Sequence, residues 1–145
     1  MSIESIALWH QRAKPEPTAR DFDVQLGCHF EEFVEQLDSI GLSGRAQAEL
    51  QQVRDTLHWL ATGLKQGTVL AHITDRKEFL DAAADQIVTA TGAAYRAGMD
   101  IGEAVHRVNR SNWSKYDEDG QPLFDANGKI AKGPRYQAPD LTGLY

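Results

Sequence analysis

Ten residues, Cys28-His29-Phe30-Glu31-Glu32-Phe33-Val34-Glu35-Gln36-Leu37, carry three glutamates within five positions. At about 100° per residue on a helical wheel, Glu31, Glu32 and Glu35 fall within about a third of the circumference. An apolar stripe of Leu26, Phe30, Phe33, Val34, Leu37 and Ile40 lies roughly opposite. Taken alone, this is the pattern of a solvated charged face. The repulsion between Glu31 and Glu35 at i, i+4 costs a few tenths of a kcal/mol, too little to decide anything.

A second acidic set changes the weighing. In EFLDAAADQIVTATGAAYRAG, Glu78, Asp81 and Asp85 share a narrow arc, and Leu80, Ala83, Ala84, Ile87, Ala90, Ala94 and Tyr95 fill the other sides. A segment that is apolar or small nearly all round predicts a helix buried in a bundle. Carboxylates there are costly unless paired, and only Lys77 and Arg96 stand nearby, one at each end. A divalent ion satisfies them. Oxygen donors without cysteine favour a hard ion, Mg²⁺ with Mn²⁺ as the alternative. Two acidic helices facing each other would hold metal, and the metal would hold phosphate and activate a water.

Polar residues also end the stripe of IGEAVHRVNRSNWSKY. Ile101, Ala104, Val105 and Val108 form its apolar side, with Glu103, His106, Arg107 and Arg110 pointing away. Asn112 and Lys115 continue the inward side, and Asn109 sits at its edge. They read either as C-terminal caps or as contacts to phosphate oxygens.

The elements that must position these groups are helical. Residues 2–13 form a short amphipathic helix ended by Pro15 and Pro17. A second runs over 22–40 and stops at Gly41. A third, over about 45–65, spaces Leu50, Val53, Leu57, Leu60 and Leu64 for a seam against another helix or subunit. Asp75 with Glu78, and Asp100 with Glu103, match capping-box starts for helices reaching about Ala97 and Ser114 or Lys115. From Tyr116 onward turn residues dominate. Asn127-Gly128 predicts a short hairpin, and the tail PRYQAPDLTGLY reads as extended and pinned by its aromatics, or loosely ordered.

The 145 residues fit a single all-α domain: a four- to five-helix bundle with core helices over 22–115 and a β-hairpin and tail over 116–145. A composition of 41% hydrophobic and 25% charged residues argues against disorder. The net charge of −6, with scattered cations, disfavours a nucleic-acid polymer. A single cysteine leaves neither an internal disulfide nor a cysteine zinc site. With no signal peptide or membrane-spanning run, a reducing cytoplasm is expected. Asp117-Glu-Asp-Gly120 fails as a calcium loop, because its twelfth position is Gly128. Glu103-x-x-His106 is a lone di-iron motif where two are needed. Trp59 and Trp113 read as packing residues, and His29, His58 and His72 show no ligand spacing.

Together these residues match a family pattern. Glu31-Glu32-x-x-Glu35 resembles the EExxE motif of the all-α, MazG-like nucleoside triphosphate pyrophosphohydrolases, and Glu78-x-x-Asp81 its ExxD partner. The run Asp81 to Asp85, the glycines at 92 and 98, Asn109-Arg-Ser-Asn-Trp-Ser-Lys115 and the ending KGPRYQAPDL are similar to the phosphoribosyl-ATP pyrophosphohydrolase-like branch, with its many phage and bacterial members. The resemblance covers about residues 22–141 and implies a homodimer or homotetramer with Mg²⁺ held by both acidic motifs. Water would attack the α-phosphorus of a (d)NTP, giving the monophosphate and pyrophosphate. Glu32 and Glu35 would be the leading ligands, Glu31 a ligand or water-orienting base, and Asn109, Asn112 and Lys115 phosphate or sugar contacts. Lys132 and Arg135 would add tail contacts. The gap between acidic motifs is longer than in compact members, so Glu78/Asp81 and Asp81/Asp85 both remain as the second ligand pair. The competing reading is a non-catalytic helical oligomerisation module built on the Leu50–Leu64 seam.

Overall fold

The structure, a computed structural model, describes residues 3–145. It is all-α, with five helices and no strand among the described residues. They are α1 (Ile3–Ala13), α2 (Ala19–Asp38), α3 (Ala46–Gln66), α4 (Arg76–Arg96) and α5 (Ile101–Trp113). Ser2, expected in the first helix, lies outside the described residues. The expected hairpin is not formed. Asn127-Gly128 makes a tight turn instead, with Gly128 at φ 84° and the Asp125 N–H donating to the Lys129 carbonyl at 2.9 Å.

The chain divides into two compact units that interleave in sequence. One comprises Glu16–Ala71 and Phe124–Lys129; the other comprises Met1–Pro15, His72–Leu123 and Ile130–Tyr145.

The first of these is an antiparallel α2/α3 hairpin. Thr18 and Asp21 form a reciprocal capping box, so α2 begins at Ala19 rather than at 22. α2 packs on α3, with Val24 and Val34 buried on the one and Leu50, Ala61 and Leu64 on the other; of the leucine seam, Leu50 and Leu64 are thus buried. Val53 stays exposed, and so does Trp59, against expectation, because among the described residues no helix but α2 packs on α3. Gly27 sets the closest approach. A Cβ there would stand 2.8 Å from the Ala61 carbonyl oxygen and 3.2 Å from the Leu64 Cβ. The Gly27→Val variant should therefore lose about 2 kcal/mol, a typical overpacking cost. An unchanged urea midpoint would refute this close contact. Arg20 donates to the Leu64 and Lys65 carbonyls, and Gly67 turns left-handed at φ 78°, closing the α3 C-terminus. Buried Asp23 accepts the Ala71 N–H at 2.9 Å and fixes the chain beyond it.

The second unit centres on Trp9, Ala13 and Tyr116, with Trp113 and Ile130 packed alongside. Trp9 and Tyr116 stack at 6.0 Å, and the Trp9 Nε1–H donates to the Asn112 carbonyl at 2.9 Å. The expected apolar stripe of α5 is not its buried side. Val105 and Val108 are exposed, whereas Asn109 and Ser111 are buried. The reason is what packs there: Asn109 donates to Ser5 of α1 at 3.0 Å, and Ser111 donates to the Gln137 carbonyl at 2.6 Å. The tail is thus held by hydroxyls and Arg107, which donates to the Asp140 carbonyl, rather than by aromatics. Tyr145 is exposed.

α4 departs most from expectation. None of its residues is buried, and only α5 packs against it among the helices. Leu80, Val88 and Tyr95 are 71%, 68% and 77% exposed. Periodicity marked α4 as able to be covered on all sides, but this chain supplies cover on only one.

Candidate functional site

The three glutamates of α2 stand in different environments. Glu31 is half-buried and takes one ammonium on each oxygen: Lys65 Nζ at 2.5 Å from Oε1 and Lys129 Nζ at 3.0 Å from Oε2. Glu32 and Glu35 are exposed and make no ion pair or side-chain hydrogen bond among the described residues. Lys65 is carried by the last turn of α3, held by Arg20 and Gly67. Lys129 is aimed by the 125–129 turn, where Asp125 Oδ1 accepts the N–H groups of Asn127 and Lys129 at 2.9 and 3.0 Å.

Electrostatics follow from this pairing. Burial pushes the Glu31 carboxyl up, but the hydrogen bonds and charges of Lys65 and Lys129 outweigh it and leave its pKa below the usual 4.5. For Lys129, burial pulls down, and the bond to Glu31 with the nearby Cys28 and Glu32 lifts it above 10.5. Burial raises the Cys28 thiol, so Cys28 is no activated nucleophile. A glutamate whose pKa is lowered by folding adds stability above its unfolded value and loses it as pH falls through the folded value. Lys129 does the reverse at the alkaline end. Metal-free thermal melts should thus weaken below about pH 4.5, and the Glu31→Gln variant should flatten that acid limb. An acid limb identical in the two proteins would contradict the pairing.

On α4, Glu78, Asp81 and Asp85 are all exposed, without ion pairs among the described residues. They belong to the other unit. Among the described residues, no three His, Cys, Asp or Glu side chains are grouped closely enough to hold a metal ion. The donor chemistry of Glu32, Glu35, Glu78, Asp81 and Asp85 nevertheless suits a hard ion, being oxygen only and, unlike that of Glu31, not tied up in ion pairs.

The polar residues of α5 and the tail are placed as follows. Asn109 is 3% exposed and its amide is engaged with Ser5. Asn112 is half-buried and lends its carbonyl to Trp9. Lys115 Nζ lies 5.6 Å from the Trp9 ring centre, and Lys132 Nζ lies 4.8 Å from that of Tyr136. Arg135 reaches the Asp117 carbonyl at 3.5 Å. His29, His58 and His72 are exposed.

Lys65 and Lys129 are absent from the sequence-based set. Lys65 sits in the last turn of α3, and Lys129 lies 98 positions from Glu31, a pairing without periodic trace. The Asp125-x-x-Gly128-Lys129 turn was the available signal.

No family model, curated protein or solved structure matches the chain. No helix among the described residues is long and apolar enough to cross a membrane.

Proposed function

We propose that the chain is a Mg²⁺-dependent nucleoside triphosphate pyrophosphohydrolase, converting a (d)NTP and water into the (d)NMP and pyrophosphate. The observation that carries this reading is the contrast within EExxE: Glu31 is neutralised by two lysines, while Glu32 and Glu35 are left exposed and unpaired. Carboxylates in a merely solvated face have no reason to divide in this way. The exposed Glu78, Asp81 and Asp85, and the resemblance of both motifs to the MazG-like enzymes, support the same reading.

Glu32 and Glu35 would offer oxygen ligands to Mg²⁺, Mn²⁺ being the alternative, and Glu78, Asp81 and Asp85 of the other unit would offer the same chemistry. The bound ion supplies neutralisation of phosphate charge and a water of lowered pKa. Glu31, held ionised by Lys65 and Lys129, is a weak base and is better suited to orienting the attacking water than to taking its proton. Lys115 and Lys132, with Asn112 and Arg135, offer donors for the phosphates and sugar, and Asn109 positions α5 against α1. The bare apolar sides of α4 favour a homodimer or homotetramer completing a helical bundle, since a solvated helix of this kind gains little from propensity alone.

The test is pyrophosphate release from a panel of NTPs and dNTPs with and without Mg²⁺. Release that requires the metal is expected for at least one nucleotide, and none from any nucleotide with Mg²⁺ or Mn²⁺ ends the proposal. A second reading, a non-catalytic helical oligomerisation module, is favoured by the same exposed Leu80, Val88 and Tyr95. It predicts no Mg²⁺-dependent rise in Tm, whereas ligand binding to the folded state produces one.

A further inference from the structure

The Lys65–Glu31–Lys129 arrangement borders a cleft that has so far been given no role. It has a volume of about 210 Å³ and is lined by Thr62, Lys65 and Gln66 of α3 and by Asp125, Asn127 and Lys129 of the turn. All six residues belong to the α2/α3 unit.

Two ammoniums and two carboxylates, Glu31 and Asp125, meet at it, so its surplus lies in hydrogen-bond donors rather than in net charge. Each ammonium has three N–H donors and gives one to Glu31, leaving two apiece. The two cations share one carboxylate. The other acid of the lining, Asp125, has an oxygen committed to the backbone N–H groups of Asn127 and Lys129. Lys65 is 19% exposed at its side chain and Lys129 43%, so the first is fixed and the second is reachable from solvent. The Lys129 backbone is held by the Asp125 turn, so its ammonium is presented from a rigid base.

We propose that this cleft binds the pyrophosphate part of the substrate, with Lys65 and Lys129 donating to its oxygens. The inference rests on the pyrophosphohydrolase reading for the identity of the ligand. Glu31 then acts as a placeholder: it holds both ammoniums in position and competes with the incoming anion for them. A purely structural ion pair would not compete.

The test uses inorganic pyrophosphate as the probe, by calorimetric titration of the full chain without divalent metal, alongside nucleotide hydrolysis with Mg²⁺. Lys129→Met keeps the Lys65–Glu31 pair and should weaken pyrophosphate binding about 10-fold, the loss of one charge-assisted contact. In hydrolysis it should raise KM by a similar factor. Glu31→Gln removes the competitor and should tighten pyrophosphate binding several-fold, even though it lowers stability; this readout stays informative if a lysine variant folds poorly. Unchanged affinity in both Lys129→Met and Glu31→Gln overturns the inference, as does a wild-type chain that hydrolyses nucleotides without binding pyrophosphate. If wild type binds pyrophosphate through Lys129 but hydrolyses no nucleotide, the cleft stands as an anion site and the enzymatic reading falls.

Discussion

The Glu35→Gln and Asp81→Asn variants should each lose about 100-fold in kcat/KM for the best nucleotide, and the double Glu35→Ala, Asp81→Ala variant should release no measurable Mg²⁺-dependent pyrophosphate. The size follows from what each carboxylate is asked to do. Loss of one group that stabilises charge in a reaction of this type costs about 10²–10³-fold, and a metal ligand contributes at least as much as the outer contacts whose loss costs about 10–100-fold. Asp81 is shared by both arrangements of the second motif, and Glu35 is among the α2 acids without a cation. Because both residues are exposed, the substitutions should move stability by no more than about 0.5 kcal/mol, so lost activity could not be blamed on unfolding. Steady-state pyrophosphate release with a thermal melt of each variant is the measurement. Wild-type turnover in the double variant would remove the metal reading altogether.

The largest effect on stability is expected at Trp9. The Trp9→Ala variant should cost about 3–5 kcal/mol, the range for truncating a buried aromatic. Trp9 is the hub of its unit. It stacks on Tyr116, meets the ring of His10 edge-on at 4.8 Å, carries Lys115 over its face and caps the α5 carbonyl of Asn112. Tyr116 Oη in turn donates to the Trp9 carbonyl at 2.6 Å, so Tyr116→Phe should lose about 1 kcal/mol while keeping the stack. Urea unfolding followed by tryptophan fluorescence and by far-UV dichroism separates the two variants. A Trp9→Ala midpoint within error of wild type would mean that α1 contributes nothing to this core.

The helices were legible because their signals are local. Gly67 and the caps at Asp75 and Asp100 sit within a turn of the ends they define, and the 3.6-residue rhythm of α2 and α3 survives in part: Val34, Leu50 and Leu64 are buried, whereas Phe33, Ile40 and Val53 are exposed. The start of α2 was missed because its capping box ends in Asp21 rather than Glu or Gln. Two larger misses share one cause, which is that periodicity reports where apolar residues point and not what meets them. On α5 the packed side is polar, satisfied by Ser5 and Gln137, residues too far along the chain to leave a pattern. On α4 every side could be covered, and among the described helices α5 alone arrives. The acidic residues themselves were easy to find, but their inequality was not. What separates Glu31 from Glu32 and Glu35 is a lysine at the end of the neighbouring helix and another far downstream.

That downstream lysine bears on the order in which the chain folds. The α2/α3 hairpin joins neighbouring helices through a short connection, and such local contacts form early. Its last component, Phe124–Lys129, must return across a much longer loop, whose closure entropy is set against few contacts. During synthesis, therefore, Glu31 should meet Lys65 first and its second cation only after 98 further residues have been added. On this reasoning the charge balance beside EExxE should be completed late in folding, when the 125–129 turn brings Lys129 to Glu31.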